Sequence, residues 1–110
     1  IKFPLILRNY KKMKTSVEIL DILRTHKNEL FDRFGVLDIA VFGSYSRNEQ
    51  NNKSDIDVFV ELKDGFITFD NFIELKFFIE DLTLKKIDLV VKDSIRKEFK
   101  ESILKEAVYL

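Results

Sequence analysis

Two short groups of polar residues, each bordered by an apolar run, have side chains that could carry out chemistry. Gly43-Ser44 ends the first run, and after ten intervening residues the second begins with Asp55-Ile56-Asp57. Side chains two residues apart on a β-strand point to the same face, which places Asp55 and Asp57 roughly 6–7 Å apart at the backbone. Carboxylates this close repel each other unless a cation lies between them. Mg²⁺ suits this position because it takes oxygen ligands, typically one or two carboxylates together with substrate phosphates.

The Gly-Ser turn supplies groups that bind phosphate. Gly43 has no Cβ, so an anion can approach its backbone closely, and the Ser44 hydroxyl and the following N–H groups are donors. A short helix starting near Tyr45 would add the positive end of its dipole. Arg47 could also reach a phosphate, with an ion pair to a neighbouring acid as an equal alternative. The turn lacks the second glycine and the Gly-Lys ending of a Walker loop, so any nucleoside triphosphate would bind it differently.

A third apolar segment, residues 86–91, contains a single acid, Asp88. If this segment forms a strand beside the one that carries Asp55 and Asp57, three carboxylates converge on one place. Two divalent cations could then bind, one with the triphosphate and one that lowers the pKa of an attacking hydroxyl. We therefore expect Asp88 to contact the second metal and to act as a general base.

The same residues carry a family resemblance. The chain reads Phe-Gly-Ser-Tyr-Ser-Arg over 42–47 and Ser-Asp-Ile-Asp-Val-Phe-Val-Glu over 54–61, and Asp88 follows in a later segment. This pattern resembles the polymerase-β-type nucleotidyltransferase superfamily, and within it the minimal nucleotidyltransferases, the MntA-like group. The similarity extends from about residue 13 to the closing residues 106–109.

The resemblance implies both a site and a reaction. It implies metal ligands at Asp55, Asp57 and Asp88, triphosphate contacts at Gly43 and Ser44, and Mg²⁺-ATP as the donor. MntA-like proteins pair with HEPN-family toxins, which are ribonucleases, and neutralise them by transferring AMP to a toxin tyrosine. We therefore expect a protein adenylyltransferase that serves as the antitoxin of a type VII toxin–antitoxin pair. In that reaction an acceptor hydroxyl attacks the α-phosphate of ATP and pyrophosphate leaves.

Two other functions are compatible with the same residues. An antitoxin could neutralise its toxin by binding and occlusion alone, with a vestigial catalytic site. Alternatively, the nucleotide could be transferred to a small molecule or to an RNA end. Replacing Asp55 and Asp57 with Asn separates catalysis from occlusion, and the fate of labelled ATP separates the acceptors.

Composition narrows the choice of partners. The chain has 110 residues, enough for one domain, and its 45% apolar residues, including eleven Phe, can fill a core. Nineteen basic and nineteen acidic residues give a net charge of zero, whereas a protein that grips a nucleic-acid backbone usually has a basic excess. There is no cysteine, and no apolar run approaches the roughly 20 residues of a membrane span. We therefore expect a cytoplasmic protein without a membrane or nucleic-acid partner, which could form an oligomer with its toxin.

The start of the chain differs in composition from the rest. Residues 1–12 hold the only proline and a basic cluster, and we interpret them as an N-terminal extension, with an added strand or a disordered tail as an equal alternative. The domain proper is expected to occupy residues 13–110. It opens with a capping box at Thr15-Ser16-Val17-Glu18.

Hydrophobic periodicity predicts an α+β (α/β two-layer) fold. The expected helices are 16–34, ended by Gly35, then 70–82, and a last helix capped by Ser94 that runs to about 107; the expected strands are 37–42, 54–62 and 86–91. This order predicts a short mixed β-sheet with helices packed on one face. The family resemblance specifies it as the nucleotidyltransferase fold.

Several aromatic and polar residues have more than one interpretation. Tyr45 could stack on a base, with packing as the alternative, and we expect Glu61 to be solvated. A Phe-rich stretch over residues 66–78 exceeds what one helix face can bury. We expect most of these rings in the core and an exposed remainder that forms a partner surface.

Overall fold

A computed structural model describes residues 15–46 and 55–110, and the structural statements below concern these ranges. Arg47 and the expected domain start at residue 13 lie outside them. The described helices are α1 (Ser16–Thr25), α2 (Lys27–Phe34), α3 (Phe69–Thr83) and α4 (Lys97–Glu106). The strands are β1 (Val36–Phe42), β2 (Ile56–Leu62), β3 (Ile87–Val91) and β4 (Val108–Tyr109), and a 3₁₀ turn occupies Lys92–Ser94.

The first helical segment begins as predicted. Thr15 is the N-cap of α1, where its hydroxyl accepts a hydrogen bond from the Glu18 N–H (3.2 Å) and the Glu18 carboxylate accepts one from the Thr15 N–H (3.1 Å). This reciprocal pair satisfies N–H groups that have no partner inside the helix. The same segment ends as predicted at Gly35, which adopts φ 70° and whose N–H donates to the Phe31 carbonyl.

The prediction of one continuous helix over 16–34 is wrong, because the chain breaks at His26. The His26 N–H donates to the Leu23 carbonyl, three residues back, and its ring nitrogen Nδ1 lies 3.0 Å from the Ile22 carbonyl. These local bonds replace the regular i→i−4 pattern and end α1, and α2 starts at Lys27. The apolar periodicity continues through the break because both helices bury their apolar side chains in the same core, namely Leu20, Leu23, Leu30 and Phe34.

The sheet is mixed and has four described strands in the order β3-β2-β1-β4. β1 is antiparallel to both β2 and β4, whereas β2 and β3 are parallel and are connected through α3. Alternate residues of β2, Ile56, Val58 and Val60, are fully buried against helices α1 to α3. This alternation is the period-2 pattern of a strand with one face in the core. The predicted two-layer fold with a mixed sheet is confirmed.

The opposite face of β2 carries Asp57 and Phe59. The Phe59 ring is buried between Phe42 and Tyr109, with ring centroids 5.8 and 5.6 Å away. These aromatic contacts fix β1, β2 and β4 relative to one another beside the acidic residue.

The last helix begins later than predicted. Ser94 lies in the 3₁₀ turn, where its hydroxyl donates to the Val91 carbonyl (2.7 Å). It therefore cannot cap α4, which starts at Lys97 without a side-chain cap. Among the helices of the described ranges, none has the length and apolar character needed to cross a membrane.

Candidate active site

Asp57 and Asp88 lie side by side at the start of the two parallel strands. They are direct partners in the β2/β3 register, each one residue inside its strand, and their carboxyl groups are close enough for Asp88 to affect the ionisation of Asp57. Burial, the Asp88 carboxyl and, more weakly, Asp55 and Glu106 raise the pKa of Asp57 from 3.8 to about 6. The pair is therefore a place where a proton or a cation is needed to offset charge repulsion.

Asp55 is close to this pair but is not part of it. It immediately precedes β2, is exposed, and contributes to the raised pKa of Asp57 through its charge. Within residues 15–46 and 55–110, no three acidic or histidine side chains form a ready-made metal-coordinating group. The structure thus brings Asp57 and Asp88 together and places Asp55 nearby.

The donor chemistry of this pair fits Mg²⁺. Both side chains offer carboxylate oxygens, and Asp57 is half-buried with its ionised form disfavoured by its surroundings. Mg²⁺ binds through one or two carboxylates and completes its shell with water and substrate oxygens, so a third protein ligand is not required in advance. A divalent cation would neutralise the two carboxylates and so offset both the burial and the repulsion that raise the pKa of Asp57.

Gly43 brings the turn after β1 into contact with Asp57. Its φ of 70° is in the left-handed region, and a Cβ at this position would overlap the Asp57 carboxylate. The Gly43 carbonyl accepts hydrogen bonds from the Ser46 N–H (3.1 Å) and the Ser46 hydroxyl (2.8 Å), which close the turn over 43–46. Ser44 is half-buried in this turn, and its phosphate contact stays a prediction.

Glu106, at the end of α4, is a site residue that the sequence analysis did not single out. Its Oε1 accepts a hydrogen bond from the Gly43 N–H at 3.0 Å, and its charge is one of those that raise the pKa of Asp57. The sequence signal was an acid at the last helical position before a two-residue strand. The family resemblance extends over Glu106 but assigns no role to it.

Tyr45 packs rather than facing the site. Its side chain is fully buried in the core, and its carbonyl accepts a hydrogen bond from the Ser16 hydroxyl at the start of α1. Burial raises the pKa of Tyr45, and its hydroxyl has no hydrogen-bond partner among the described residues. The packing alternative is therefore confirmed, and Tyr45 anchors the turn to α1.

Glu61 is separate from the acidic pair. It lies at the other end of β2, where its register partner is Asp38 of β1, and it is half-buried. This position does not support a role as a ligand beside Asp57.

Comparison with known proteins identifies the family. A model of the nucleotidyltransferase domain matches residues 23–110. The chain belongs to the nucleotidyltransferase family. This nucleotidyltransferase is 42% identical over 98 residues to the protein adenylyltransferase MntA of Thermococcus cleftensis, a match that spans 89% of the chain and 98% of the relative. It is 46% identical over 99 residues to a Methanocaldococcus jannaschii protein provisionally named a protein adenylyltransferase, spanning 89% of the chain and 100% of the relative.

Solved structures agree with this assignment. A structure described as a minimal nucleotidyltransferase is 31% identical to the chain, with a TM-score of 0.69, and the match covers 83% of this chain and 95% of that one. A structure described as a toxin–antitoxin with AMP-PNP is 23% identical to the chain, with a TM-score of 0.63. The match covers 87% of this chain and 72% of that one. At that identity the second likeness shows the fold alone. The enzyme is thus a minimal nucleotidyltransferase of the MntA-like group.

Proposed function

We propose that this nucleotidyltransferase transfers AMP from Mg²⁺-ATP to a hydroxyl group of a protein. The observation that carries the proposal is the contact between the turn at Gly43 and the Asp57–Asp88 pair. A phosphate bound to the turn would lie beside the carboxylates that can hold its counter-ion. The names of two relatives, both protein adenylyltransferases, support AMP as the transferred group and a protein as the acceptor.

The residues around the turn would bind and orient the triphosphate. The Ser44 hydroxyl and the N–H groups of the turn are donors for phosphate oxygens, and the absence of a side chain at Gly43 leaves their approach open. Fixed donors of this kind stabilise developing charge without reorganising during the reaction. Arg47 is proposed as a further phosphate contact; it lies outside the described residues.

The acidic residues would hold the divalent cation and accept the acceptor's proton. Asp57 and Asp88, with Asp55 nearby, are the proposed Mg²⁺ ligands. When bound, Mg²⁺ would neutralise phosphate charge and lower the pKa of the attacking hydroxyl, and a second such ion is compatible with the three carboxylates. The acceptor oxygen bonds to the α-phosphorus, the bond to pyrophosphate breaks, and the released proton passes to Asp88.

We further propose that the acceptor is a tyrosine of a HEPN-family toxin, which makes the protein an antitoxin. The family resemblance supports this acceptor, and a toxin–antitoxin structure shares the fold. Because the substrate is ATP, the reaction belongs in the cytoplasm.

Transfer of label from ATP tests the proposal directly. The enzyme, its cognate toxin, Mg²⁺ and ATP labelled at the α-phosphate are incubated, and AMP on toxin tyrosine is measured by mass spectrometry. The double variant Asp55→Asn/Asp57→Asn should lose transfer and neutralisation while it still binds the toxin. Asp64→Asn, in the exposed turn after β2, is the matched control and should behave like wild type.

Two outcomes would contradict the proposal. Neutralisation that survives the double substitution would show that occlusion, not catalysis, silences the toxin. Label found only on RNA or on a small molecule would show that the acceptor is not a protein.

A further inference from the structure

The Glu106 carboxylate joins the end of α4 to the turn beside the acidic pair. The Gly43 N–H donates to its Oε1 at 3.0 Å across 63 residues of sequence, and both residues are half-buried. A hydrogen bond from an N–H to a carboxylate is charge-assisted and stronger than a neutral one. The contact therefore ties the turn to an element that is remote in sequence.

Strand pairing explains why Glu106 reaches this position. In the β1/β4 register Ala40 pairs with Tyr109 and Val41 with Val108. Extending the register by two residues places Glu106 opposite Gly43. Glu106 belongs to α4 at that point, so its side chain, rather than its backbone, accepts from the Gly43 N–H.

Gly43 is consequently held from three directions. Its carbonyl accepts from Ser46 within the turn, its Cα lies against Asp57, and its N–H is bound by Glu106. The first contact is local to the turn, and the second is a close approach without a hydrogen bond. The Glu106 bond is the one of the three that ties Gly43 to a helix remote in sequence.

We propose that Glu106 is a positioning residue for nucleotide binding. By holding the Gly43 N–H, it sets the orientation in which the turn presents Ser44 to the triphosphate. This role rests on the proposed function of the turn as the phosphate site. Glu106 acts through Gly43 and does not itself contact the substrate.

The Glu106 carboxylate also adds negative charge near Asp57. The effect of its hydrogen bond on nucleotide binding must therefore be measured separately from the effect of its charge. Glu106→Gln keeps an oxygen that can accept from Gly43 but removes the charge. Glu106→Met keeps the length and the helix propensity of the side chain but has no comparable acceptor. Glu101→Gln, on an exposed part of the same helix, is the matched control.

Calorimetric titration with Mg²⁺-AMP-PNP and the KM values for ATP and acceptor test this role. Glu106→Met should weaken nucleotide binding and raise the KM for ATP about tenfold, as expected for loss of a charge-assisted hydrogen bond. The KM for the acceptor should not change. Glu106→Gln should lose clearly less affinity than Glu106→Met, because it leaves a neutral acceptor for the Gly43 N–H, and Glu101→Gln should stay within about twofold of wild type.

Three outcomes would overturn the inference. Tighter binding by Glu106→Met would show that Glu106 competes with phosphate for the turn. Equal losses in the Gln and Met variants would show that the charge matters and the bond does not. Unchanged binding in Glu106→Met would show that the turn needs no support from α4.

The hydrogen bond between the Gly43 N–H and Glu106 can also be measured in the absence of nucleotide. This measurement separates the inference from the proposed function. Amide hydrogen exchange at Gly43, followed by NMR, should be slow in wild type and Glu106→Gln and faster in Glu106→Met. If wild type binds no nucleotide, the proposed function fails and the role in binding fails with it. If wild type transfers AMP but Gly43 exchanges equally in all variants, the inference alone fails.

Discussion

Gly43 lies directly against the carboxylate of Asp57, with no side chain between the two. A Cβ added to Gly43 would overlap Oδ2 and come within 3.0 Å of Cγ of Asp57. The close approach lets the end of β1 and the start of β2, which are antiparallel neighbours, form one site. It also explains why glycine is favoured at this point, since φ is 70° as well.

Gly43→Ala should therefore impair both folding and nucleotide binding. The left-handed backbone costs an L-residue about 1–2 kcal/mol, and the overlap with Asp57 adds to this. Gly65→Ala is the matched control, because Gly65 also has a positive φ (88°) but has open space around it. Urea denaturation should show destabilisation in both variants, and titration with Mg²⁺-AMP-PNP should show weakened binding only in Gly43→Ala. Equal nucleotide affinity in the two variants would contradict the proposed phosphate site.

The raised pKa of Asp57 predicts a pH-dependent stability. In the folded protein this pKa is about 6, against an ordinary 3.8, so the folded state holds the proton more tightly than the unfolded state does. The contribution of Asp57 to stability is thus complete below about pH 4 and is lost as the pH rises through 6. In EDTA, Asp57→Asn should be more stable than wild type at pH 8 by on the order of 1 kcal/mol, allowing for partial exposure.

Urea denaturation at pH 4, 6 and 8 measures this effect. The advantage of Asp57→Asn should largely disappear near pH 4, where the wild-type side chain is protonated in the folded state and close to half protonated in the unfolded state. Asp64→Asn, in the exposed turn, should have the same free energy of unfolding as wild type at every pH. A constant difference between Asp57→Asn and wild type across the range would show that the carboxyl pair does not cause the destabilisation.

Mg²⁺ should stabilise the wild-type protein by neutralising the carboxylates of Asp57 and Asp88. Ligand that binds only the folded state raises the free energy of unfolding by RT ln(1 + [L]/Kd), so the melting temperature should rise with Mg²⁺ concentration. The rise should be larger at pH 7 than at pH 5, because protons compete for Asp57 at the lower pH. Asp57→Asn and Asp88→Asn should each remove most of the Mg²⁺-dependent rise in melting temperature. A melting temperature that is insensitive to millimolar Mg²⁺ at pH 7, with and without ATP, would count against the metal site.

The exposed rings of α3 should contribute to toxin binding. Phe77 is 55% exposed and Phe69 is 77% exposed, whereas Phe72 and Phe78 pack against the core. An exposed aromatic side chain that becomes buried in an interface can contribute 2 kcal/mol or more to binding. Phe77→Ser should therefore weaken the toxin complex at least tenfold, measured by calorimetry, while the free energy of unfolding changes by less than about 0.5 kcal/mol.

Phe99→Ser provides the control for this surface. Phe99 is exposed to a similar extent, 53%, but lies on α4. If both substitutions weaken the complex equally, the contribution of exposed rings to toxin binding is not specific to α3. If neither weakens it, the exposed rings of α3 do not contribute to toxin binding.

Local patterns in the sequence predicted most of the elements. The alternation in β2, the capping box at Thr15 and the terminator at Gly35 are all as expected, because each depends on residues within a few positions of one another. The break at His26 was missed because the apolar periodicity continues across it. Ser94 was wrongly expected to cap α4 because its hydroxyl is used by the preceding turn instead.

The sequence by itself determined which chemical groups are present, the spacing of Gly43-Ser44 and Asp55-x-Asp57, and the strand that carries Asp57. Only the tertiary structure decided that Asp88 stands opposite Asp57 and that Glu106 binds the Gly43 N–H. These contacts join segments that are distant along the chain, and their register is set by burial of the whole sheet and by the pairing of β4 with β1. No local pattern encodes that register, whereas the type and spacing of side chains along one strand can be read directly.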